Sequence, residues 1–138
     1  MSKETLNSSS NLATLFEYCE KNDVENLKRY IPSLENINQQ DAGRGWSLLS
    51  VAAYNHSKEC VEYLLSNGAD INIVNFKGTT VLMYAKSKVI ENKNFDFLDY
   101  LIMKGANLVV KDNFDKNIFD YVLETNDNDL IQYFKKYF

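Results

Sequence analysis

One histidine and two cysteines are the scarce reactive side chains of this 138-residue sequence. His56 and Cys60 stand four positions apart, a spacing that puts both on one helical face within reach of a shared metal ion. Tetrahedral zinc needs two more ligands and no second pair supplies them, so the sequence predicts no metal. Cys19 and Cys60 fall instead at positions of apolar periodicity, where a thiol behaves as a small buried hydrophobe and stays reduced. Gly43-Arg44-Gly45 resembles a fragment of a phosphate-cradling turn but lacks the later glycine and the lysine such a loop uses. Asp112, Asp115 and Asp120 miss the alternating spacing of a calcium loop, because Phe114 occupies a ligand position; they read as turn and cap residues. Asn7-Ser8-Ser9 and Asn55-His56-Ser57 are formal glycosylation sequons, meaningful only after export. With no nucleophile-base pair, metal set or phosphate loop, the expectation is a protein without catalytic residues and without cofactors.

Composition narrows the partners. Hydrophobic residues make up 45% and aromatics 13%, enough for one core and hence one domain. Fifteen basic against nineteen acidic residues give a net charge of -4, which leaves no basic field for a phosphate backbone, so nucleic acid is not expected as a partner. No long apolar run and no charged, apolar leader is visible. A membrane partner is therefore not expected, and the expected compartment is cytoplasmic.

The elements that position these residues repeat. Gly45 and Gly78 stand 33 residues apart, and each opens a short apolar helix, followed by a second apolar helix and a glycine exit, at Gly68 and Gly105. Residues 1–11 are polar and predict a frayed tail whose removal costs little. A first unit over 12–38 turns Leu12, Leu15, Phe16 and Cys19, then Val24, Leu27, Tyr30 and Ile31, inward, and Pro32 stops its second helix. In the second unit, 39–73, Ser47 caps a helix carrying Leu48, Leu49, Ala52 and Ala53 inward, and the next helix runs from Lys58 to Ser66 with Cys60, Val61, Leu64 and Leu65. The third, 74–107, has Thr80 as cap, Val81, Leu82 and Ala85 inward, and a second helix over Phe95 to Met103. Its Gly78-to-Gly105 stretch is four residues longer than Gly45 to Gly68, which places an insertion near Val89 to Asn94. The fourth, 108–138, replaces the turn glycine with Asp115 and offers Ile118, Phe119, Val122, Leu123, Leu130, Ile131 and Phe134 as its buried set.

Gly45, Ser47, Leu49, Ala52, Ala53, Gly68, Ala69, Asp70 and Asn72, echoed by Gly78, Thr80, Leu82, Ala85, Gly105, Ala106 and Asn107, make the chain resemble the ankyrin-repeat family from about Leu12 onward. The family's Thr-Pro-Leu-His signature is degraded to Ser47-Leu48-Leu49-Ser50, Thr80-Val81-Leu82-Met83 and Asn117-Ile118-Phe119-Asp120, and the Asp41 finger carries one extra residue. The resemblance implies an all-α fold, an α-solenoid of about four helix-turn-helix units with capping ends, and a concave side built from inter-repeat fingertips and first helices. Aligning the units on it puts Arg44 and Trp46 on the first finger, Phe76, Lys77 and Thr79 on the second, Phe114 and Lys116 on the third, with Tyr54, Asn55, Ser87 and Lys88 on the wall behind. Large aromatics joined by Arg and Lys match the composition of interface hot spots. Two arrangements stay open: aromatic tips free to bind, or folded back over neighbouring helix ends. The resemblance implies a monomer that binds and occludes another protein, as inhibitor, adaptor or toxin-neutralising immunity protein; a host-directed effector of an intracellular microbe is the alternative.

Overall fold

The computed structural model describes residues 8–138. It holds nine α-helices: α1 (Ser8–Glu20), α2 (Val24–Tyr30), α3 (Leu48–Tyr54), α4 (Lys58–Ser66), α5 (Val81–Lys86), α6 (Val89–Asn92), α7 (Phe95–Met103), α8 (Ile118–Thr125) and α9 (Asn128–Lys135). Among the described residues the only extended pairing is a single antiparallel bridge between Val74 and Thr80. The fold is an all-α repeat solenoid. Helices pair as α1 with α2, α3 with α4, α5 with α7 and α8 with α9, and successive pairs lean together through α1 on α3, α3 on α5 and α2 on α4.

Helices α3, α5 and α8 each begin where a side chain captures an orphan backbone amide. Ser47 Oγ accepts from Ser50 N at 3.1 Å while Ser50 Oγ accepts from Ser47 N at 2.9 Å. Thr80 and Met83 repeat the exchange with sulfur as the returning acceptor, and Asn117 and Asp120 with a carboxylate. Such a cap is worth about 1 kcal/mol. Ser50, Met83 and Asp120 thus complete reciprocal boxes in which Ser47 and Thr80 were anticipated only as single caps.

The core runs through the stack. Leu15, Leu27, Leu48, Leu49, Ala52, Ala53, Val61, Leu64, Leu82, Ala85, Leu98 and Leu101 are buried, and the alanines sit where first helices approach most closely. Pro32 lies in a 3-10 turn directly after α2, which it ends by lacking an amide donor. The four-residue insertion folds as α6, anchored by buried Val89 and closed by Lys93 in the left-handed conformation.

Two expectations change. Helix α1 already starts at Ser8, inside the stretch expected to fray, while residues 1–7 lie outside the described chain. Leu123 is 47% exposed. It is the counterpart of buried Ala53 by distance from the helix cap, and Ala53 is covered by the following unit, whereas nothing in the described chain covers Leu123.

Fingers stack backbone to backbone. Phe76 N donates to Arg44 O at 3.1 Å, and Asn113 N donates to Lys77 O at 2.9 Å. The approach requires glycine: Gly45 and Gly78 have φ of +80° and +83°, and a Cβ on Gly78 would lie 3.0 Å from Asp112 Cα, with the backbone of Asn113 at 3.1 Å. Gly78→Ala is therefore expected to destabilise the chain by about 1–3 kcal/mol, read as a lower urea midpoint by circular dichroism; an unchanged midpoint would refute this reading of the finger stack.

Candidate functional site

Three fingers are built on one device, a side-chain oxygen at the base that accepts backbone amides of the tip. Asp41 Oδ1 accepts from Trp46 N at 2.6 Å and Arg44 N at 3.4 Å. Asn75 Oδ1 accepts from Lys77 N at 2.9 Å and Thr79 N at 2.8 Å. Asp112 Oδ1 accepts from Phe114 N at 2.9 Å and Lys116 N at 3.1 Å. The extra residue after Asp41 widens its clamp but leaves it working. In the third finger Asp115 takes the left-handed φ of +62° that glycine holds in the other two.

These clamps set the exposure of the tips. Phe76 is 56% and Phe114 61% exposed, with Lys77 exposed and Thr79 and Lys116 half-buried. Trp46 differs: it is half-buried, folded towards the helical wall, and Arg44 lies over its ring at 4.8 Å. Phe114 thus stands exposed, Phe76 rests one ring edge on Gly45 of the preceding finger while staying more than half exposed, and Trp46 is folded back.

Behind Trp46 lies an open groove of about 350 Å³, lined by Glu20, Trp46, Ser50, Val51, Tyr54, Asn55 and Tyr84. Its origin is a single difference between repeats. Four residues after each first-helix cap stand Val51, Tyr84 and Tyr121 in turn. Tyr84 OH accepts from Asn75 Nδ2 at 2.8 Å, and Tyr121 OH donates to Asp112 Oδ2, so each tyrosine braces the base of its own finger. Valine at 51 has no such reach and leaves space. Tyr54 closes one side edge-on to Tyr84 at 6.3 Å, and Lys88 lies over Tyr54 at 4.9 Å.

The groove thus gathers Trp46, Tyr54 and Asn55, with Arg44 and Lys88 on its aromatic rim. Phe76, Lys77 and Thr79, then Phe114 and Lys116, stand on the later fingers. Ser87 and Lys88 occupy the junction between α5 and α6. Sequence reasoning missed Glu20, Val51, Tyr84 and Tyr121, although the recurrence of Asn75 with Tyr84 and Asp112 with Tyr121, nine residues apart in both units, was available to it.

Charge along this side follows burial. Burial pushes the Tyr84 phenol up against hydrogen bonds from Asn75 and Trp46. The Tyr121 phenol, bonded to the Asp112 carboxylate, is pushed up to about 12. Burial works against the Asp112 carboxylate, but the bonds from Tyr121 and from the amides of Lys116 and Phe114 outweigh it and hold its pKa below the ordinary carboxylate range. Burial also lowers the pKa of Lys86, whose ammonium lies 5.8 Å from the Tyr121 ring centroid.

Comparison with known proteins agrees with the repeat geometry. The family model described as ankyrin repeats in three copies matches residues 15–112. The chain belongs to the ankyrin-repeat family. Among its relatives, the human transient receptor potential cation channel subfamily A member 1 is 30% identical over 91 residues, 66% of this chain and 8% of the channel. A putative ankyrin repeat protein of fowlpox virus is 32% identical over 98 residues, 70% of this chain and 22% of that protein. An ankyrin repeat domain-containing protein of monkeypox virus is 46% identical over 59 residues, 43% of this chain and 13% of that protein. The chain thus spans under a quarter of the length of these relatives. Ankyrin repeats mediate protein-protein interaction. The matched repeats stop at residue 112, and helices α8 and α9 lie beyond them.

The residues singled out for chemistry are placed as parts of this ankyrin stack. Cys19 and Cys60 are free and buried, and the Cys60 thiol together with burial pushes the Cys19 thiol up. Among the described residues no group of three or more His, Cys, Asp or Glu is arranged to hold a metal ion, and no helix is long and apolar enough to cross a membrane. His56 sits in the left-handed turn between α3 and α4 with φ of +56°. Its Nε2–H donates to Ala85 O at 2.7 Å and its Nδ1 accepts from Asn92 Nδ2 at 3.1 Å, while the ring packs on Phe97 at 4.4 Å. One neutral tautomer satisfies both bonds. Burial, the largest influence, lowers its pKa below the usual 6.5 despite the bond to Ala85. Above pH 6.5 the ring is neutral folded or unfolded; below it the unfolded chain takes the proton first, so stability falls with falling pH until the folded ring titrates too. As this is the sole histidine, its imidazole proton resonances in NMR should titrate below 6.5. His56→Asn should flatten the loss of melting temperature between pH 7.5 and 5.5; a midpoint at or above 6.5 would overturn the bridging role.

Proposed function

We propose that the chain binds and occludes another protein through its fingertips and the groove behind them, working as a single chain in the cytoplasm. Arg44, Trp46, Tyr54 and Asn55 contribute at the first finger, Phe76, Lys77, Thr79, Ser87 and Lys88 at the second and its wall, and Phe114 and Lys116 at the third. The observation that carries this reading is the presentation of Phe76 and Phe114, large aromatics more than half exposed on turns whose backbone is clamped from below, with one edge of the Phe76 ring resting on Gly45. A rigid aromatic tip loses little conformational entropy on binding, which is where hot-spot energy comes from. Inhibitor, adaptor and toxin-neutralising immunity protein all use this mode and differ only in the partner occluded.

The alternative, a host-directed effector, is favoured by the similarity to ankyrin proteins of two poxviruses. Recovery of the partner from host cells rather than from the cell that makes the chain would select it.

With a partner isolated by co-purification, Phe76→Ala combined with Phe114→Ala is expected to weaken affinity by about 2 kcal/mol or more, roughly thirtyfold. Melting temperature should stay within a few degrees of the parent, because neither ring is in the core. Calorimetric titration makes the measurement, and an affinity unchanged in a folded double variant would remove the tips from the interface.

A further inference from the structure

Two cations on the rim of the groove are left without an ion-pair partner. Among the described residues the ion pairs are Lys58 with Glu62, Lys93 with Asp127 and Asp129, Lys111 with Asp115, and Lys116 with Glu124. Arg44 and Lys88 take part in none; each lies over an aromatic ring of the groove instead, on Trp46 and Tyr54. In a protein of net charge -4, two unpaired cations stand on the rim of one groove; the carboxylates nearby are Glu20 in its lining and Asp41, which is taken up by main-chain amides at the base of the finger.

We propose that the Val51 groove takes an extended acidic peptide segment of the partner, with one large apolar side chain seated between Trp46, Tyr54 and Tyr84 and carboxylates on either side reaching Arg44 and Lys88. This rests on the protein-binding reading and names the part of the partner that is gripped. A space of about 350 Å³ admits a side chain or two and not a folded surface. Its aromatic lining favours an apolar occupant, and the ring-seated cations are already positioned, so a carboxylate meets them without the entropy of ordering a free lysine. Neighbouring helices in a stack lie about 8–10 Å apart and an extended chain advances about 3.3 Å per residue, so successive units are met roughly every third residue. The segment therefore carries its carboxylates about three residues from the apolar anchor.

The test is a random peptide display selection on the full chain, followed by titration of a synthesised consensus peptide with Trp46, the sole tryptophan, as fluorescent reporter. The expected consensus is acidic with one Leu, Met or Phe, and its binding shifts Trp46 emission and weakens with salt. Val51→Tyr fills the groove with the residue that stands at the same place in the next two units, and is expected to lower affinity at least tenfold without unfolding. Arg44→Ala with Lys88→Ala should cost a similar factor and reduce the salt dependence. Basic or uncharged consensus peptides, no enrichment, or affinity indifferent to Val51→Tyr would overturn the proposal. Binding that survives Val51→Tyr but is lost in the Phe76→Ala, Phe114→Ala variant would overturn it too, while leaving fingertip recognition standing.

Discussion

Apart from the longer α1 the paired helices have only six to nine residues; such a pair has more apolar surface than it can fold against itself, so each becomes stable only when neighbours cover its flanks. Every other feature of the chain serves that contact. Ala52, Ala53 and Ala85 are small because α3 and α5 must approach; Gly45 and Gly78 lack side chains because the adjoining finger's backbone passes where a Cβ would be. Leu123 shows the same rule from the other direction, an apolar residue in a covered register with nothing over it.

Register between pairs is set by polar groups that reach forward. The turns between paired helices each place one non-glycine residue in the left-handed region: Asn22, His56, Lys93 and Asn126. Asn22 accepts the amide of Cys60 at 3.1 Å. His56 spans to Ala85 and Asn92, and Lys93 lies 3.6 Å from Asp127 and 3.3 Å from Asp129. On the opposite edge Asn38 accepts from Asp70 N at 2.9 Å and Asn72 from Asn107 N at 2.7 Å. The bonds from Cys60 N to Asn22 and from His56 to Ala85 are partly buried, whereas exposed lysine pairs contribute little to stability at the surface. The four inserted residues do not disturb this arrangement, because α6 absorbs them before Lys93 resumes the turn.

Much of this was legible in the residues themselves. Helices α4 and α7 run over the spans their apolar periodicity marks, Gly68 and Gly105 hold positive φ, and Ser47 and Thr80 cap as their spacing implies. Periodicity reports burial within a unit, and there it succeeded. It is silent about whether a following unit exists to cover an outward flank, which is why Leu123 was misplaced. Nor does residue type alone say which way a fingertip ring turns: Trp46 holds the place before the helix cap that Thr79 and Lys116 hold in the later fingers, all three half-buried, while Phe76 and Phe114 precede the left-handed turn residue and are exposed. The groove itself is the trace of an absent tyrosine, and an absence becomes visible only when equivalent positions in different units are set side by side.

The clamped fingers separate two jobs that most loops must share. The shape of each turn is written at its base, by Asp41, Asn75 or Asp112 taking hold of main-chain amides, and those amides are present whatever side chains the tip bears. Positions 77 and 114, both exposed, can therefore be exchanged for other residue types with the hairpin's path unaltered. Recognition in such a chain can diversify at constant folding stability, and a library randomised at those tips would remain a library of folded molecules.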